Sequence, residues 1–132
     1  MSPYFTMHEF TRSATAERRG IDNTPPAAAR DAINALIANI LDPLRRSWGR
    51  PIIINSGYRS PELNEAVGGA PHSQHMRGEA ADITAGSPAL NRRLMQCIID
   101  MRLPYDQLID EHNGTWIHVS YSPRHRRMIL KL

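Results

Sequence analysis

Two short segments of alternating apolar and polar residues, Gln107 to His112 and Thr115 to Tyr121, flank the dipeptide Asn113-Gly114. Asn-Gly accepts the left-handed backbone of a tight turn at little cost, so the pattern predicts an antiparallel hairpin. With a two-residue turn, His112 pairs with Thr115, Glu111 with Trp116 and Ile109 with His118. Side chains alternate along a strand, which puts Glu111, Trp116, Ile109 and His118 on one face and turns Asp110 to the other. Glu111 is then diagonal to His118, at roughly 7–8 Å by backbone. A slip of one residue would reverse the faces.

Helical signals dominate the chain before the hairpin. Thr24 is the expected N-cap of a long helix, with Pro25 and Pro26 in its first turn. Ile33, Leu36, Ile37, Ile40, Leu41, Leu44 and Trp48 follow at helical spacing. Pro43 inside that pattern predicts a kink or break near Asp42, and Gly49 a stop. Pro51 to Asn55 reads as a buried strand. Ser60-Pro61 opens a short helix to about Ala66, closed by Gly68-Gly69. A loop is expected from Ala70 to Arg77, a second strand from Glu79 to Thr84, and a helix from Ser87-Pro88 carrying Leu90, Leu94 and Ile98. Before Asn23, Tyr4, Phe5 and Phe10 are candidates for the core, and Arg12 to Gly20 is a polar loop or short helix. Helices followed by mostly antiparallel strands make the fold class α+β.

The 132 residues suit one domain, 1–132, and at 41% hydrophobic and 22% charged the usage is globular. Apolar runs fall short of the ~18–20 residues of a membrane span, so no membrane partner is expected. The opening MSPYFTMHEF lacks the apolar stretch of a signal peptide. Synthesis in the cytoplasm is therefore expected. Cys97 is the single cysteine, which excludes an internal disulfide and suits a core position on its helix. A net charge of +3 does not repel polyanions. The basic residues are not clustered with interleaved aromatics, so no nucleic acid is expected either. Arg124-His-Arg-Arg127 reads as a solvated basic edge.

Six histidines raise the question of a metal. Taken singly, each is most often an ordinary loop or core residue, and His8, His72, His112 and His125 are assigned to the surface or to supporting positions. His75 and Asp82 stand seven apart across Gly78, and His118 lies on the second arm of the hairpin. Two imidazoles and a carboxylate are a common ligand set for a catalytic zinc with an open fourth position. Such an ion brings hydroxide within reach at neutral pH, and a second carboxylate is then needed as general base. The hairpin parity proposes Glu111, with Asp110 as the runner-up.

The run Ser56-Gly-Tyr-Arg-Ser-Pro-Glu-Leu-Asn64, then Ser73-Gln-His-Met-Arg-Gly-Glu-Ala-Ala-Asp82, then Trp116-Ile-His118-Val-Ser, resembles the zinc D-Ala-D-Ala carboxypeptidase and phage L-alanyl-D-glutamate endopeptidase family. The shared pattern, S-x-H-x-x-G-x-A-x-D with a downstream W-x-H, falls on Ser73, His75, Gly78, Ala80, Asp82, Trp116 and His118. Tyr4-Phe-Thr, Glu9-Phe and Asn23-Thr-Pro25 look like the small single-domain members found in phages and prophages. The resemblance covers nearly the whole chain and implies a hedgehog/DD-peptidase-like fold. It implies zinc on His75, Asp82 and His118, with Arg59 holding substrate or the developing oxyanion, and Ser73 hydrogen-bonding substrate.

The chain departs from the family at one position. Well-characterised members carry the acid three residues before the last histidine, where this chain has Thr115, which takes no proton at neutral pH. Leu108-Ile-Asp-Glu111 resembles relatives whose acid lies further upstream. The resemblance implies a zinc peptidase acting on peptidoglycan stem peptides, reaching the cell wall after phage lysis or by another route, and a monomer is expected. The alternative is a zinc-binding structural or tail-associated phage module without catalysis. A clamp on the following helix, for Arg59, and a loop hydroxyl capping a backbone donor, for Ser73, are the structural readings of those two residues.

Overall fold

The computed structural model describes residues 2–132. The chain runs α1 (Met7–Thr11), α2 (Ala14–Arg19), α3 (Ala27–Leu36), a π-helical segment (Ile37–Leu41), α4 (Asp42–Trp48), β1 (Ile53–Ser56) and α5 (Pro61–Ala66). A 3₁₀ turn (Gln74–Arg77), β2 (Ala80–Thr84), α6 (Pro88–Asp100), β3 (Gln107–Glu111), β4 (Trp116–Ser120) and β5 (Met128–Lys131) complete it. The sheet order is β1-β2-β4-β3-β5, antiparallel except for β3 with β5. The fold is α+β, as expected.

The helix expected to start at Thr24 starts at Ala27, with Pro26 as its extended N-cap. A residue before proline is pushed out of the helical region, so Thr24 and Pro25 are both barred and the helix begins after the second proline. Pro43 acts one turn before itself. It has no N–H for the carbonyl four residues back, and the chain widens over Ile37–Leu41, so that the Asp42 N–H bonds to the Ile37 carbonyl. Gly49, at φ 76°, ends α4 as expected.

One face of the sheet is core. Ile54, Ala81, Ile83, Leu108, Ile117 and Val119 pack with Ile33, Leu36, Ile40, Leu41 and Leu44 of the long helical stretch and with Leu94 and Ile98 of α6. Phe5 and Phe10 join that cluster, while Tyr4 is exposed. Cys97, expected in the core, is half-buried at its margin beside Met101. Residues of the opposite parity carry the polar face. Across the middle strands the register sets Asp82 beside His118 and His118 beside Ile109.

The expected hairpin register holds, with Glu111 opposite Trp116 and Ile109 opposite His118. The connection is longer than two residues. His112, Asn113 and Gly114 all have positive φ, and the Thr115 N–H donates to the Glu111 and His112 carbonyls. Buried Asn91 of α6 holds this tip, donating to the Gly114 and Thr115 carbonyls and accepting from the Ala85 N–H.

Candidate metal centre

His75 rides on the 3₁₀ turn, a stretch expected to be irregular. Ser73 caps the turn, its Oγ accepting from the His75 N–H at 3.1 Å. Gly78 closes the turn at φ 74°, where a Cβ would strike the Ala29 carbonyl of α3. The turn is pinned to the loop after β1 from both ends of one residue. His75 Nδ1 lies 2.7 Å from the Gly57 carbonyl, and the His75 carbonyl accepts from the Arg59 N–H at 3.1 Å. A carbonyl only accepts, so Nδ1 carries the proton and Nε2 presents its lone pair. Gly57 in turn lies against Phe10, with room for no Cβ, and the Tyr58 N–H donates to the Phe10 carbonyl.

That lone pair meets Asp82. His75 Nε2 and His118 Nδ1 stand 3.3 Å and 3.1 Å from the same Asp82 oxygen, Oδ1. All three side chains are buried, and their donor atoms lie within 4.8 Å of one another. Bonds of about 2.0–2.1 Å in a tetrahedron put donor atoms about 3.3 Å apart. The two edges at Asp82 Oδ1 fit that spacing, so the set fits a zinc ion. Nε2 of His118 is buried without a hydrogen-bond partner among the described residues. Burial pushes the Asp82 carboxyl up, but the two imidazoles against it, His118 and then His75, outweigh burial when they are protonated and hold it well below the usual carboxylate range.

Arg59 borders the centre. Its Nη2 lies 3.7 Å from Asp82 Oδ2, while Nε and Nη1 donate to Ser56 Oγ and Asn64 Oδ1 at 3.3 Å and 3.0 Å. The bulge between Ile54 and Ser56 sets Ser56 opposite Asp82. Burial lowers the Arg59 pKa, against the charges of Asp82 and Glu111. Glu111 is half-buried at the end of β3, on the same face as His118. Asp110 is buried on the other face, with Arg92 of α6 at 3.9 Å. Thr115 spends its hydroxyl on the His112 carbonyl at 2.6 Å. His8, His72, His112 and His125 are exposed, as expected.

Several supporting residues gave no local signal. Asn23 ties three segments together, donating to the Thr11 and Tyr58 carbonyls and accepting from the Ser60 N–H. Asp106 is buried and takes both ends of the Arg126 guanidinium at 2.9 Å and 2.8 Å, with Arg124 at 3.6 Å. The basic run expected to be wholly solvated is therefore partly anchored. Asp106 also accepts from Gln74, the neighbour of His75, at 2.9 Å. A chain-wide pairing of this kind leaves no periodic trace in sequence.

Residues 3–120 match the family model of peptidase M15. A protein described as zinc D-Ala-D-Ala carboxypeptidase, from Streptomyces albus G, is 46% identical over 63 residues. That alignment covers 46% of this chain and 25% of the relative, so the chain matches a quarter of that protein's length.

Proposed function

The chain belongs to the peptidase M15 family, and from that premise we propose that it is a zinc-dependent peptidase hydrolysing an amide bond in peptidoglycan stem peptides. The observation that carries the reading is the buried convergence of His75 Nε2, Asp82 Oδ1 and His118 Nδ1, with Arg59 beside it. These three atoms would hold the ion. When bound, zinc supplies Lewis-acid polarisation of a carbonyl and makes water nucleophilic near neutral pH.

The chain's own residues supply the rest. Glu111 takes a proton at its carboxylate and returns it to the leaving amine. It stands on the face of His118 and within charge range of Arg59. Arg59, held by Ser56 and Asn64, presents a fixed cation to an anionic end of the substrate or to the developing oxyanion. Ser73 has its oxygen engaged by the His75 N–H, which leaves the hydroxyl proton to donate to substrate. The name of the Streptomyces relative supports a cell-wall peptide as substrate. The fold acts as a monomer of one domain. Release of new amino groups from purified peptidoglycan, with zinc and then with chelator, tests the proposal. Chelator-sensitive release supports it. Zinc bound without any release moves the protein to a non-catalytic zinc module, and Thr115 at the usual acid position is the feature that favours this second reading.

A further inference from the structure

On the β1 side of the centre, Arg59 forms the wall of a second space, a cavity of about 370 Å³ between the start of α2, β1 and α5. Arg12 also lines it, with Ser13, Thr15, Asn55 and Ser56 between the two arginines. No aspartate or glutamate does. Arg12 follows α1 and is fixed by one hydrogen bond from Nη2 to the Ile54 carbonyl at 3.2 Å, which leaves its other N–H groups to the cavity and solvent. Among the described residues no carboxylate lies within ion-pair distance of Arg12. The one carboxylate that close to Arg59 among the described residues is Asp82, which belongs to the metal donors. Two cations stand among hydroxyl, amide and apolar side chains with no acid in the lining, a chemistry that suits an anionic group carried on a peptide.

Resting on the peptidase reading above, we infer that this cavity is a specificity subsite, in which Arg12 binds a free side-chain carboxylate of the peptide substrate. Arg59 links the subsite to the centre, because it lines the cavity and lies 3.7 Å from Asp82. A peptide that engages Arg59 is thereby set beside both the donors and the lining that carries Arg12. Arg12 is a specificity determinant here and takes no part in bond cleavage.

The test uses a synthetic stem peptide with a free side-chain carboxylate and the same peptide with that carboxylate amidated. Both are titrated calorimetrically into the zinc-loaded Glu111→Gln protein, and into Arg12→Gln and Arg12→Lys made on that background. The acid binds about fivefold tighter than the amide while Arg12 is present, as a partly exposed charge pair allows. Lysine keeps part of the preference and glutamine abolishes it. Equal affinity for the two peptides in the presence of Arg12, or a preference that survives Arg12→Gln, overturns the inference. Hydrolysis of the amidated peptide by the wild-type protein is scored separately. If neither peptide is cleaved but the preference follows Arg12, the peptidase reading fails and the anion subsite stands.

Discussion

The side-chain amide of Asn91 donates to the Gly114 carbonyl at 2.8 Å, joining the first turns of α6 to the tip of the β3–β4 hairpin. The same side chain accepts from the Ala85 N–H at 2.6 Å and donates to the Thr115 carbonyl at 3.2 Å. One buried residue thus closes backbone groups at the ends of β2 and of the hairpin, the elements that bring Asp82 and His118 together and carry Glu111. Asn91→Leu keeps the branched heavy-atom shape and orphans those groups. A loss of about 3 kcal/mol is expected from the unsatisfied donor and acceptors, read as the shift in urea-unfolding free energy. A shift within 0.5 kcal/mol, the range of a neutral surface change, would mean that water replaces the amide.

Gly78 and Gly68 have nearly the same backbone, φ 74° and 72°, and different neighbours. A Cβ at Gly68 meets nothing within 4 Å, while one at Gly78 strikes the Ala29 carbonyl. Gly68→Ala is expected to cost about 1 kcal/mol of left-handed strain. Gly78→Ala costs about 2–3 kcal/mol and moves the His75 turn off its seat, weakening zinc affinity measured against a competing chelator. Equal effects of the two changes would show that packing on α3 does not position His75.

Glu111 and Asp110 are sequence neighbours on opposite faces of β3. Glu111→Gln is expected to lower the rate of peptide hydrolysis about a hundredfold or more while one zinc still binds. Asp110→Asn leaves the rate near wild type and acts on stability through Arg92. His118→Ala loses both zinc and activity. The reverse pattern for the two acids would reassign the base.

The guanidinium of Arg126 holds the Asp106 carboxyl well below its usual range, outweighing burial, with the Arg126 backbone N–H and Gln74 adding to it. A depressed folded-state pKa contributes stability that is fully present above the unfolded value of about 3.9 and is lost as pH falls toward the folded one. Wild type should therefore exceed Asp106→Asn in urea stability by the widest margin at neutral pH. The margin narrows on acidification below about pH 4. A margin constant down to pH 3 would show that the charge of Asp106 is immaterial to folding.

How much of this was legible depends on the range of each signal. The hairpin register was readable because alternation and Asn-Gly are local, and it placed Glu111 and His118 on one face even though the connection is longer than two residues. Residue type made His75, Asp82 and His118 candidates, and the resemblance carried by S-x-H-x-x-G-x-A-x-D and W-x-H singled them out as a donor set. The helix start was misread at Thr24 because capping chemistry was weighed ahead of the bar that Pro25 and Pro26 place on the residues before them. Strand β5 was missed. It is four residues long, mostly exposed, follows a basic run, and pairs in parallel with β3 across a long excursion. The roles of Asn23, Asn91 and Asp106 exist only after distant segments have met.

The β2–β4 register has a consequence for how the chain finds its shape. Asp82 and His118 are 36 residues apart, and they face each other only in the observed pairing. A slip of one step sets Asp82 against Ile117 or Val119 and rotates the imidazole toward the apolar side. Such a sheet offers no triad of donors. Zinc in the surrounding medium is blind to the slipped form and stabilises only the correct one. The ion then works as a proofreader of strand alignment, rewarding one register before any peptide is encountered.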